Sequence, residues 1–410
     1  MTLINSQFLK VVKDEVGSKI EHRVNIFKTL NPDVSLIRLD SGDVVRPLPP
    51  CAVNALVKAS KEMGNASTFK GRAPAQGYSF LIEAIAKHDF RSRKIKIDTD
   101  EIFINDGSKE DISGIGDILC RDNRVGVIDP VFQTYVESNV IGNRAGELGD
   151  SGQWSHVIYL KSGKETGFMP EFPVVRPDVI YLCYPNDPTG CVMTKPVLKS
   201  WVDYAIKNKI LLLFDATYEA FITDPDIPHS IYEIKGARRV AIEFRSFSKS
   251  AGFTGLHCGY TVIPNDIEGY SFSAESSARL NTLWMRRQTI KSYAPSYIIQ
   301  CAAASLYTEE GRREIRDNVN YYMENASVLR QALQRAGFNF WGGENSPYLW
   351  VESPTGSSWD LFDRLLNTCH ILSSPGERFG PRGKGFVRLS AFANQSKVIL
   401  AASRLSELDM

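Results

Sequence analysis

The sequence predicts an α/β protein built on a mostly parallel sheet, followed by a smaller α+β unit. Short apolar runs alternate with amphipathic stretches through the middle of the chain, most runs end in Asp, Asn, Pro or Ser, and the rhythm changes after residue 290. The runs are "EIFIND" (101–106), "RVGVID" (124–129), "DVIYLCYP" (178–185), "KILLLFD" (209–215) and "RVAIEFRSF" (239–247). Strands this continuously apolar are buried on both faces, which calls for helices above and below the sheet. "GYSFLIEAIAKHDFRSR" (77–93) and "KPVLKSWVDYAIKNK" (195–209) have the helical spacing to supply that cover. Ligands of such sheets bind beyond the carboxyl ends of the strands, so the residues there carry the functional argument.

From residue 298 the chain reads as one or two long helices closed by Gly337. "YLWVES", "HILSSPG" and "GFVRLSAF" then read as strands of the smaller unit. The first 60 residues lack a βα rhythm and are expected to wrap onto that unit or onto a partner subunit. The expected division is a large domain over 61–290, with 1–60 and 291–410 forming an arm and a small domain.

Composition narrows the function class. The 410 residues are 43% hydrophobic, enough for a large core, and a net charge of +1 gives no general reason to expect nucleic acid or an anionic membrane as partner. No apolar run is long enough to span a bilayer, and the N-terminus lacks the plan of a signal peptide. Seven scattered cysteines without a CxxC pair argue against a disulfide framework or a zinc site and for a reducing cytoplasm.

Four signals fall at strand ends in fixed order. "NDGSKED" (105–111) offers a glycine and a hydroxyl at a helix start, suited to phosphate. "YPNDPTG" (184–190) is a turn carrying polar side chains, and "FDATYEAF" (214–221) puts Asp215 at a strand end with Tyr218 three residues on. "RSFSKSAGFTG" places Lys249 between Ser248 and Ser250, with Ser246 just before. Together they are what pyridoxal 5'-phosphate requires: a lysine to form a Schiff base, an aspartate to keep the pyridine nitrogen protonated, and a tyrosine to donate to the phenolic oxygen. Each signal alone is weak; the ordered set is not.

That order resembles the class I/II aminotransferases of fold type I, and most closely the LL-diaminopimelate aminotransferases. The resemblance runs through "SGDVVRPLP", "YPNDPTG", "PDIPHSIYEIKGA", "SFSKSAGFTG", "SPYLWV" and "GFVRLSAF", nearly the whole chain. It implies a central sheet of the seven-stranded type and a homodimer whose sites borrow residues from the neighbouring subunit. It also implies Lys249 as Schiff-base lysine, Asp215 as partner of the pyridine nitrogen and Tyr218 as partner of the phenolic oxygen. Ser108, Lys109, Ser246 and Ser248 would surround the phosphate. Phe132 would stack on the ring, although plain core packing reads the same in sequence. Arg388 would clamp the substrate α-carboxylate bidentately.

The departures from the family fall on the binding site. His257 stands where the family has a phosphate-binding arginine, a loss of about 1–3 kcal/mol of charged hydrogen bonding. Asp187 replaces an asparagine that donates to the phenolic oxygen; it either alters the ring's protonation, turns away, or merely caps the turn before Pro188. The family's "GYGxEQG" reads "GRAPAQG" (71–77), with Arg72 for tyrosine and Ala75 for the glutamate that would meet a distal ammonium. Glu15 replaces a pocket tyrosine, "LDSGD" introduces Asp40 and Ser41, and Ser292-Tyr293-Ala294 replaces "FNG". The residues taken to touch substrate are therefore Arg388, Arg72, Glu15, Asp40, Ser41 and Tyr293.

The expectation is a pyridoxal-phosphate enzyme of amino acid metabolism that has left the diaminopimelate line for another α-amino acid. Its reaction is transamination or, in specialised (natural-product) metabolism, elimination or replacement at the β- or γ-carbon, for example on S-adenosylmethionine. One alternative is an unaltered LL-diaminopimelate aminotransferase of lysine biosynthesis; another is a non-catalytic binding protein on the same scaffold.

Overall fold

The computed structural model describes residues 1–11 and 14–408. Its centre is a seven-stranded sheet of β1 (Ile102–Asn105), β2 (Val125–Asp129), β3 (Val157–Lys161), β4 (Val179–Cys183), β5 (Leu211–Asp215), β6 (Ala241–Ser246) and β7 (Gly259–Val262). Their order is β1-β7-β6-β5-β4-β2-β3, parallel except for β7, which runs antiparallel to both neighbours. The five apolar runs form five of these strands, and all five are buried along nearly their whole length. Sequence reading missed two. β3 is a half-buried edge strand, and β7 follows the Lys249 loop so closely that "GYTV" reads as its continuation.

The helix expected over 195–209 runs Lys195–Asn208, with Pro196 in its first turn, where proline's missing N–H costs no hydrogen bond. The long apolar stretch is two helices, Tyr297–Ser305 and Glu309–Arg335. Thr308 starts the second by accepting the Gly311 N–H. A four-stranded antiparallel sheet follows: β8 (Phe340–Gly342), β9 (Tyr348–Glu352), β10 (Ser374–Pro375) and β11 (Phe386–Ser390), in the order β8-β9-β11-β10.

Two segments expected with the small unit pack elsewhere. Helices Pro50–Met63 and Tyr297–Ser305 bury Cys51, Ala52, Ala302 and Ala303 in the large core, alongside Ile82, Ile104 and Phe253. The small unit has its own core, in which Ile37 and Leu39 of the N-terminal arm join Leu349, Leu365 and Leu389. Both apolar faces are thus covered, the division falling by packing partner rather than at residues 61 and 290.

The two units meet where Gly190 abuts β9. Gly190 has φ +70°, and a Cβ there would run into the Tyr348 carbonyl oxygen. Gly190→Ala is expected to destabilise the fold by about 2–4 kcal/mol, read from the midpoint of denaturant unfolding. An unchanged midpoint would mean this junction yields easily.

Candidate functional site

The carboxyl ends of β1, β4, β5 and β6 open into one cavity of about 1430 Å³, closed from the other side by β9, β11 and the arm. Lys249 lies in the short turn of helix after β6, where Ser246 Oγ accepts the Ser248 N–H at 3.2 Å. Its Nζ is part-buried and donates to the Gly42 carbonyl at 2.7 Å. Burial lowers the lysine pKa; Asp187 and Asp43 act against that, and Arg388 and Lys109 act with it. A lowered pKa raises the fraction of free amine, the nucleophilic form.

Asp215 ends β5 and is buried. One carboxylate oxygen accepts from the Thr217 N–H at 3.0 Å and its hydroxyl at 2.6 Å, and the other accepts from the Tyr135 hydroxyl at 2.7 Å. Burial raises the Asp215 pKa, and these donors pull it back. A buried carboxylate held by neutral donors only is suited to a cationic partner such as a protonated ring nitrogen. Tyr218, whose own pKa burial pushes up, has its hydroxyl 2.9 Å from that of Tyr348 and donates to Asp187 at 3.3 Å.

At the phosphate end, Gly107 adopts φ +101° before the helix that begins at Ser108. Ser108 Oγ lies 3.0 Å from Thr217 Oγ1, and Lys109, Ser246 and Ser248 line the same end of the cavity. His257 lines it too, exposed at the rim, with Nδ1 4.0 Å from Asp106. Phe132 is on the wall, edge-on to Tyr135 at 5.5 Å. Hydroxyls and a lysine beside the N–H groups of a helix start, a buried carboxylate and a part-buried amine together make a set of groups that fits pyridoxal phosphate.

Arg388, on β11, sits against the rings of Tyr348 and Phe379, 4.5 and 4.9 Å from their centres. Burial works against its charge, but Asp187, Tyr348 and Tyr218 raise its pKa above the usual arginine value. Asp187 does more than cap a turn: it is ion-paired to Arg388 at 2.7 Å. Asp40 and Ser41 line the cavity, yet Asp40's carboxylate pairs with Arg38 at 2.8 Å and its backbone carbonyl is what accepts from Arg388. Glu15 opens the first long helix at the cavity mouth.

Arg72 and Tyr293 do not line their own chain's cavity. They meet each other instead, the guanidinium donating to the Tyr293 hydroxyl at 2.9 Å and lying 4.8 Å from its ring centre. Sequence reasoning passed over Tyr135, Thr217 and Tyr348. Thr217 lies inside "FDATYEAF" and Tyr348 inside "SPYLWV", so both were within reach, whereas Tyr135 had only its nearness to Phe132 as a signal.

Comparison with known proteins agrees with this geometry. Residues 34–402 match the family "Aminotransferase class I and II". The chain is 50% identical over 407 residues to an LL-diaminopimelate aminotransferase of Bacteroides fragilis, covering 99% of both. An L,L-diaminopimelate aminotransferase structure from Chlamydomonas reinhardtii superposes with a TM-score of 0.90 at 34% identity, covering 99% of this chain and 98% of that one. An aspartate aminotransferase of Thermus thermophilus, at 19% identity and TM-score 0.82 over 99% of this chain and all of its own, shares the fold. These findings overturn the non-catalytic alternative: the chain belongs to the class I and II aminotransferases and is a pyridoxal-phosphate-dependent transferase of fold type I.

Proposed function

We propose that the chain transfers the amino group of an α-amino acid, with LL-diaminopimelate as amino donor. The observation that supports this most is identity of 50% and 49% to two Bacteroides LL-diaminopimelate aminotransferases along essentially the whole chain. It favours the unaltered reaction over elimination chemistry. When bound, pyridoxal phosphate supplies an aldehyde and a ring that accepts the electron pair left when a bond to the substrate α-carbon breaks. Lys249 would hold the cofactor through its amine, and the same amine is placed to take the α-proton of the bound amino acid. Asp215 would hold a proton on the ring nitrogen, and Tyr218 would donate toward the phenolic oxygen. Ser108, Lys109, Ser246 and Ser248 would bind the phosphate, Phe132 would cover the ring and Arg388 would receive the α-carboxylate.

A second reading rests on the substrate side. "GRAPAQG" has Ala75 where a distal ammonium would need a carboxylate, and Asp187 occupies Arg388. That combination fits another α-amino acid, with chemistry diverted to the β- or γ-carbon. Arg72 and Tyr293 serve either reading from a neighbouring subunit, since exposed Phe8, Leu9, Val53, Val57 and Phe69 fit a homodimer face. Sedimentation of the purified chain tests the dimer. Incubation with LL-diaminopimelate and 2-oxoglutarate tests the substrate: glutamate formed at enzymatic rates supports the first reading, and its absence with turnover of another amino acid supports the second.

His257 is proposed to weaken cofactor binding, because histidine lacks arginine's fixed charge and forked donors. His257→Arg should tighten pyridoxal phosphate by about tenfold to a hundredfold, measured by equilibrium dialysis. Unchanged affinity would place the phosphate beyond the reach of residue 257.

A further inference from the structure

The carboxylate nearest Arg388 belongs to the chain itself. Asp187 Oδ1 accepts from Arg388 Nη1 at 2.7 Å, and Oδ2 accepts from the Tyr218 hydroxyl at 3.3 Å. Both side chains of the pair are 8% exposed. Arg388 Nη2 donates to the Asp40 carbonyl at 2.8 Å, while Nε, also buried, has no partner. Arg388 is therefore already half of a neutral pair, with one N–H and the second protons of Nη1 and Nη2 left to receive a ligand.

A guanidinium neutralised this way treats two kinds of carboxylate differently. A carboxylate arriving alone is attracted by Arg388 and repelled by Asp187 a few ångströms further off, and in a partly desolvated site neither interaction is well screened. An α-amino acid brings an ammonium one carbon from its carboxylate, which offsets the repulsion. A 2-oxo acid or a plain carboxylic acid brings no such offset. Asparagine at 187 would fill the same space without the charge.

We infer that Asp187 is a positioning residue that acts through Arg388 to make the site select α-amino acids over carboxylates without a compensating cation, 2-oxo acids among them. The inference rests on the reading of Arg388 as partner of the α-carboxylate, under either substrate proposed above. It makes the oxo-acid half of a transamination the poorly bound half.

The test uses two probes that differ only by an amino group, 2-aminoisobutyrate and isobutyrate, neither of which has both an amino group and an α-proton to lose. Each is titrated calorimetrically into the cofactor-loaded wild type, Asp187→Asn, Asp187→Ser, Arg388→Met and Asp187→Asn with Arg388→Met. Asp187→Asn is expected to tighten isobutyrate by about tenfold or more and 2-aminoisobutyrate by clearly less. A residue of merely structural importance would weaken both or change neither. Should the asparagine variant fail to fold, Asp187→Ser carries the same expectation. The readout is the change of each probe between wild type and the Asp187 variants, because the bond that the amine of 2-aminoisobutyrate can form with the cofactor aldehyde is common to all of them. No selective tightening of isobutyrate in a folded Asp187 variant, with Arg388→Met abolishing binding, overturns the inference alone. If Arg388→Met leaves both probes bound as before, the reading of Arg388 fails instead.

Discussion

Lys249→Ala should fold normally, show no absorbance band near about 420 nm with pyridoxal phosphate, and lose on the order of 10⁴-fold in turnover. The size follows from two jobs held by one amine. Under the proposed function it would attach the cofactor covalently and would serve as the base beside the α-carbon. The fold should tolerate the change because the side chain's one hydrogen bond in this structure goes to the Gly42 carbonyl, and no ion pair depends on it. Methylamine added to the variant should restore part of the rate, a small base entering the space vacated. A retained band, or turnover within tenfold of wild type, would mean that another lysine carries the cofactor; Lys109, on the same cavity wall, would be next to examine.

Asp215→Asn should keep most of the cofactor and lose about 10²–10³-fold in turnover. The amide preserves the shape and can still accept from Thr217 through its oxygen, but it removes the buried charge proposed to face the ring nitrogen. Burial raises the Asp215 pKa and the Thr217 and Tyr135 donors pull it back, so a cationic partner opposite it would further favour the charged carboxylate. The coupling would be reciprocal: an ionised Asp215 would favour a protonated ring nitrogen, the form better able to take up electrons. The cofactor dissociation constant and turnover, measured together, separate the possibilities. Loss of binding with turnover of the bound fraction intact would assign Asp215 to holding the cofactor rather than to tuning it.

Much of this was legible in the sequence because the physics is local. Continuously apolar runs ending in polar residues gave five strands of the sheet, and "FDATY" and "SFSK" placed their functional groups at strand ends. What escaped is non-local. β7 is antiparallel and follows a loop of seven residues after Lys249's helical turn without a helical crossover, so no βα rhythm announces it. Asp187 and Arg388 are 201 residues apart, and their pairing exists only because the turn after β4 meets β11 of the other unit. Arg72 and Tyr293 each stood out as departures from the family pattern, but no local pattern reveals that they meet each other, 221 residues apart, and do not line the cavity.

The arm contributes two backbone carbonyls to the cavity, Asp40's to Arg388 and Gly42's to Lys249. Comparison of side chains among relatives is blind to such contacts. Asp40 can drift to other residues while its carbonyl goes on holding Arg388, so variation there reports on what the cavity admits and not on whether the arginine is held. Gly42 lacks that freedom, because a Cβ would stand 2.7 Å from the Tyr348 hydroxyl. A library of substitutions across 39–43 should therefore look permissive at 40, restrictive at 42, and intolerant throughout of one-residue deletions, which would pull both carbonyls out of register with the residues they hold.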